Sequence, residues 1–218
     1  MPSEQDRSAH AMSRRRKAGL LLLCLLGFAL LVRLDRHTVG RRWPHRPVSG
    51  TPAPADDLDK YHGKTFTVAN VIDGDTLDID IRDGRYAHTR IRLLGIDAPE
   101  ANSGQSIPMF FDPQASERAR ELTLGKSVVV YLDAPNPTRG KYGRLLAYVQ
   151  LPDGRFLNEV LLSEGCAYAD RRFRHSFFNK YRQLEAAARS GHKGLWQNVT
   201  HDQLPEWLQR MEPTLLNK

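Results

Sequence analysis

The chain has 218 residues, 40% hydrophobic and 26% charged, which excludes a disordered polar chain and allows one domain with a real core plus accessory segments. A formal charge of +7 and a pI near 9.6 favour an anionic partner, yet the excess lies mostly in residues 1–59, with ten Lys/Arg against six Asp/Glu. Residues 60–218 hold twenty-two against nineteen, so bulk charge alone does not establish nucleic-acid binding, and the two cysteines, Cys24 and Cys166, form no disulfide framework.

Residues 1–17 are a basic segment ending in Arg14-Arg15-Arg16-Lys17. The run Ala18 to Val32 is then unbroken and apolar. This is the pattern of a secretory signal, but no A-x-A-like cleavage site follows, so residues 18–34 read as an uncleaved transmembrane signal anchor. The run is short against the ~20 residues a bilayer core needs, which requires the flanking arginines to snorkel. The tight basic cluster argues for a cytoplasmic N-terminus and an extracytoplasmic domain on a single-pass protein. Secretion after cleavage is the alternative. Residues 35–59, with Pro44, Pro47, Pro52 and Pro54, read as a linker.

A folded domain is expected over 60–197. Strands are predicted at 65–72 and 75–81, with Asp73-Gly74 between them, and at 86–95 after the turn at Asp83 to Arg85. Asp112-Pro113 reads as an N-cap and first turn of a helix that stops at Gly125. Further strands are predicted at 126–133 and 143–150, and helices at Asn158 to Glu164 and Ser176 to Ser190. Three strands, a helix and two strands is the chain order of a five-stranded OB barrel, so the fold class is α+β with about three helices. The tail, 198–218, offers no chemistry.

Single motifs stay ambiguous. Asp73-Gly74-Asp75-Thr76 is an ordinary turn when taken alone. Asp97-Ala98-Pro99-Glu100 is a common strand exit, and Arg92 reads equally as a strand-edge arginine paired to either acid. Combined, the pieces "VIDGDTLDI" (71–79), "IRLLGIDAPE" (91–100), "KYGRLLAYV" (141–149), "LNEVLLSEG" (157–165) and "GHKGLW" (191–196) resemble the staphylococcal-type nuclease (thermonuclease) family in order and spacing.

That resemblance implies a site residue by residue. Asp75 and Asp97 would bind Ca2+, with a backbone carbonyl from Ala98 and with Glu100 beside the ion or reaching it through water. Glu100 would be the general base, and Arg92 and Arg144 would grip the scissile phosphate. The chemistry of phosphodiester hydrolysis agrees. Charge builds on phosphate oxygens, guanidiniums bind phosphate bidentately at any working pH, and a hard divalent ion prefers oxygen donors. No His/Cys cluster with zinc spacing competes for the role.

The family's base-stacking tyrosines after Gly165 are replaced by "CAYADRRFRHSFF", which points to substrate contact through Arg171 and Phe173, with Lys141 and Tyr142 from the preceding loop. The basic loop at Arg139 is also a candidate for the nucleic-acid backbone, and Asp73 for the surroundings of the metal. Expected partners are DNA and/or RNA and, through 18–34, a membrane, with no obligate protein partner. Two function classes remain: a calcium-dependent nuclease of low sequence specificity, and a catalytically inactive OB module that binds nucleic acid or protein. The complete set Arg92, Glu100, Arg144, Asp75 and Asp97 favours the enzyme, since binding alone has no chemical need for all five.

Overall fold

In a computed structural model, residues 55–100 and 109–216 are described. The anchor at 18–34, most of the linker and residues 101–108 of the polar loop lie outside them. Among the described residues no helix is long and apolar enough to cross a membrane.

The chain order is α1 (Ala55–Tyr61), β1 (Lys64–Val71), β2 (Thr76–Ile79), β3 (Thr89–Leu93), β4 (Ile96–Asp97) and α2 (Asp112–Thr123). Then come β5 (Ser127–Leu132), β6 (Leu145–Gln150), α3 (Leu157–Ser163), β7 (Tyr168–Ala169), α4 (Phe178–Ser190) and α5 (Glu206–Met211). Five strands close into a barrel in the order β1-β2-β3-β6-β5, as the OB reading expected, and β4 pairs with β7 in a separate two-stranded ribbon. Alternation builds the core. In β5, Val128, Val130 and Leu132 are buried between half-covered neighbours, and in β3 Ile91 and Leu93 point inward. The same period turns Arg90 and Arg92 to the other face of β3.

β3 and β6 run parallel, with Ile91 opposite Leu145 and Arg92 opposite Leu146. That pairing brings the start of β6 beside Arg92 although more than fifty residues separate them in sequence. Asn158 fixes the junction. Its fully buried amide accepts from Val149 N (3.1 Å) and donates to Leu94 O (3.0 Å), tying β6 to the exit of β3.

Several expectations change. Five α-helices are present among the described residues where about three were expected, because α1 and α5 are too short to show a period. The segment Ala55–Asp59, read as linker, belongs to α1. Its Asp57 accepts from Thr138 Oγ1 (2.6 Å) and pairs with Arg139, while Tyr61 is fully buried. Asp112 is the first helical residue and not the N-cap, a position held by Phe111 in a left-handed conformation. The helix expected from Asn158 begins one residue earlier, at Leu157, and the Asn158 side chain is spent on the barrel.

A second core lies under the C-terminal part. Tyr168, Ala188, Leu195, Trp196, Leu204, Trp207 and Leu208 pack together, so the tail is folded onto β7 and α4. His175 packs against Tyr148 of β6 and Phe178 and Tyr181 of α4. Its Nδ1 lies 3.0 Å from Tyr148 Oη, and its ring presses on the backbone of Gly95, which has φ +79°. A methyl group at residue 95 would overlap that ring and also suffer the left-handed backbone. Gly95→Ala should therefore cost about 2–4 kcal/mol, read as a lowered denaturation midpoint without change in the slope.

Burial holds the His175 imidazole down to about 4 against the pull of Asp133 and Asp170, whereas a free histidine titrates near 6.5. A folded pKa below the unfolded one means that stability is full above about 6.5 and is lost as pH falls toward 4. Stability profiles of wild type and His175→Phe should differ by about one proton across that window, up to ~3 kcal/mol in total. Parallel profiles would contradict this.

Candidate active site

The turn after β1 carries the first acid. Gly74 makes it possible: a Cβ there would lie 2.6 Å from the Ala98 Cβ and 3.1 Å from that of Ala115, so only glycine lets the turn tuck between the strand exit and α2. Asp75 follows in a buried position. Its Oδ2 accepts the Ala98 N–H at 2.6 Å and its Oδ1 accepts Thr76 Oγ1 at 3.1 Å. Asp73 Oδ1 caps the Asp75 N–H at 3.0 Å, which gives it a turn role.

Arg92 joins the acids. One guanidinium nitrogen pairs with Asp75 Oδ2 and the other with Asp97 Oδ1, in a setting where little of the three side chains is exposed. The salt-bridge reading of the isolated motif is thus correct, and it extends to Asp75. Burial raises the Asp75 carboxyl, Arg92 pulls it back, and the neighbouring Asp73 and Asp97 add to the rise. One guanidinium therefore serves two buried carboxylates that crowd each other.

Glu100 stands exposed at the mouth. The protein around its carboxyl and the Asp97 charge hold it above the ordinary glutamate value, with Arg92 and Arg144 pulling the other way. Arg144 reaches the same place from the start of β6 and makes no ion pair to a carboxylate among the described residues; its guanidinium lies 5.8 Å from the Tyr142 ring centre. Two grooves meet here. One, of about 510 Å³, runs past Arg92, Asp97, Lys141, Arg172 and Phe173. The other, of about 990 Å³, runs past Tyr86, Arg85, His88 and Arg90, and Glu100, Tyr142 and Arg144 line both.

The structure sorts the remaining expectations. Lys141, Tyr142 and Phe173 are exposed on the groove walls. Arg171 is not: its side chain is 7% exposed and is held by Glu185 and by Glu212 at 3.2 Å, so it braces β7 against the tail. Arg139, on the wall of both grooves, is paired with Asp57 and Asp83. Cys166 is buried, as a small core residue.

Two contacts escaped the sequence. Arg172 pairs with Asp97 at 3.0 Å and Asp170 at 2.9 Å, and Trp207 Nε1 donates to Asp97 Oδ2 at 2.7 Å. Arginine-rich sequence around Phe173 marked the first in general. Nothing local to "LPEWLQR" marks the second, because 110 residues separate Trp207 from its partner.

Among the described residues, no three His, Cys, Asp or Glu side chains converge into a pre-assembled metal cluster. The residues nonetheless fit a hard cation. Asp75 and Asp97 turn oxygens toward one shared cationic group, which marks a place a cation can occupy, and every donor is an oxygen.

Comparison with known proteins agrees with the geometry. The profile described as "Staphylococcal nuclease homologue" matches residues 90–198. An "Uncharacterized endonuclease" of Escherichia coli O157:H7 is 33% identical over 150 residues, covering 68% of this chain and 84% of that protein. The "Thermonuclease" of Staphylococcus hyicus is 32% identical over 149 residues, covering 67% and 84%. "Endonuclease YncB" of Bacillus subtilis is 33% identical over 132 residues, 60% of either chain. Carried by a closed five-stranded barrel that brings Arg92 and Arg144 to one end, the chain belongs to the staphylococcal nuclease homologue family and is a nuclease.

Proposed function

We propose that this nuclease is a calcium-dependent phosphodiesterase that cuts DNA, RNA or both with low sequence specificity. The carrying observation is the convergence of Arg92, Arg144 and Glu100 on one groove junction next to the buried Asp75–Asp97 pair. The scissile phosphate would seat between the two guanidiniums, which neutralise the charge that grows on its oxygens. Glu100, held above its ordinary pKa, would take the proton of the attacking water as the new P–O bond forms and the opposite P–O bond breaks. Asp75, Asp97 and the Ala98 carbonyl would hold the ion, with Glu100 beside it; when bound, Ca2+ supplies Lewis-acid polarisation of a phosphate oxygen and orients water.

The two grooves support an internal cut, since a strand entering along one can leave along the other. Phe173 (66% exposed) offers a ring face for unpaired bases along one groove, Tyr86 (60%) along the other, and Tyr142 (76%) at their junction. Such contacts read stacking and phosphates, not base edges, which gives low specificity. Single strands are the expected better substrate, because only unpaired bases present their faces.

Tethering by residues 18–34, with the domain outside the cytoplasm, completes the reading. Extracellular calcium modules work at site affinities of roughly 10⁻⁴–10⁻³ M, which cytosolic calcium does not fill.

The test uses circular single-stranded DNA. Wild type should linearise it in calcium and stop in EGTA. Arg144→Ala should lose about 10²–10³-fold in rate, and Glu100→Gln about 10²–10⁴-fold. Circles left intact while linear strands are digested would overturn the internal cut. Full activity in both variants would overturn the assignment of roles.

A further inference from the structure

Trp207 lies beyond residue 198, where the family match ends, yet it touches the site. Its indole N–H donates at 2.7 Å to Asp97 Oδ2, and both residues are buried. The opposite oxygen, Oδ1, faces Arg92 and Arg172. The Arg172 guanidinium also lies 4.6 Å from the centre of the Trp207 ring. The indole is therefore held at its edge by the carboxylate and on a face by the cation that pairs with the same carboxylate.

The indole cannot drift. α5 packs through Trp207 and Leu208, with Leu204 just before it, onto Tyr168, Leu195 and Trp196, and Glu212 at its end ties Arg171 at 3.2 Å. The backbone of Asp97 is fixed from the same side, because it pairs with Tyr168 across the β4–β7 ribbon. A carboxylate on a short strand end can still rotate about its last bond. A buried N–H on Oδ2 removes that freedom and leaves Oδ1 as the oxygen presented to the site.

We infer that Trp207 is a positioning residue of the nuclease, donated by the C-terminal tail, which orients Asp97 for the cation, and that Arg172 pins the indole in place. This rests on the reading of Asp97 as a calcium ligand. Partners that orient a ligand usually account for 10–100-fold in metal affinity. A packing role alone would predict lost stability and an unaltered calcium response.

The experiment follows melting temperature of the full chain against calcium, beginning in EGTA, and then the calcium concentration that half-saturates cleavage. Trp207→Phe keeps an aromatic ring and loses the N–H. It should melt close to wild type in EGTA, yet need about 10–100-fold more calcium both for thermal stabilisation and for half-maximal cleavage. At saturating calcium its KM for an oligonucleotide should match wild type. Arg172→Lys, at a side chain one-third exposed, keeps the charge beside Asp97 and loses the planar guanidinium over the indole, so it tests the pin and should raise both calcium midpoints by about 3–10-fold. It decides the matter if Trp207→Phe does not fold. Calcium titrations of the variants that superimpose on wild type would overturn the inference alone. A wild-type protein with no thermal response to calcium would overturn the metal reading, and the inference with it.

Discussion

Everything at this site depends on one guanidinium shared by two buried carboxylates. Arg92 reaches the outer face of β3 because the barrel takes its neighbours Ile91 and Leu93 inward. Asp75 comes to it from the turn after β1 and Asp97 from the end of β4. Charges taken out of water are costly unless their partners are well placed, and here Asp75 must share Arg92 with Asp97, which Arg172 and Trp207 also hold. Asp73 and Asp97 crowd Asp75, and the same two acids crowd Glu100. Such an arrangement is poor as a device for stability. It suits the proposed site, in which an incoming divalent ion and a phosphate would each offer the trapped charges a better partner.

The surrounding fold reads as the means of holding that conflict still. Parallel pairing of β3 with β6 delivers Arg144, and Asn158 locks the junction. The absence of a side chain at Gly74 brings Asp75 against Ala98, and His175 under Gly95 fixes the exit from β3. From the far side, the ribbon of β4 with β7 and the docked α5 hold Asp97 by backbone and by side chain. Other arginines serve the scaffold. Arg139 joins α1 to the hairpin at Asp83, and Arg171 joins β7 to the tail through Glu185 and Glu212.

Much of this is legible in the sequence. Alternation in β3 and β5 and the turn residues between strands give the barrel, and the motifs name candidates of which Arg92, Asp97, Glu100 and Arg144 line one groove. The misses have physical causes. Arg171 and Arg172 are adjacent and chemically identical, and only burial against Glu185 separates the brace from the site arginine. α1 and α5 form because apolar side chains find a tertiary surface, which local propensity does not report. The hydrogen bond from Trp207 to Asp97 links two segments that share no local pattern, so no reading of either segment alone reaches it.

The central claim is that Arg92 exchanges its carboxylate partners for the phosphate. It is tested most directly by a crystal structure of the protein with calcium and a nucleotide bearing a terminal phosphate. The expected result is calcium on Asp75 and Asp97, with the Arg92 guanidinium on the phosphate beside Arg144. An Arg92 still bridging the two carboxylates, with the ion and phosphate bound elsewhere, would contradict it.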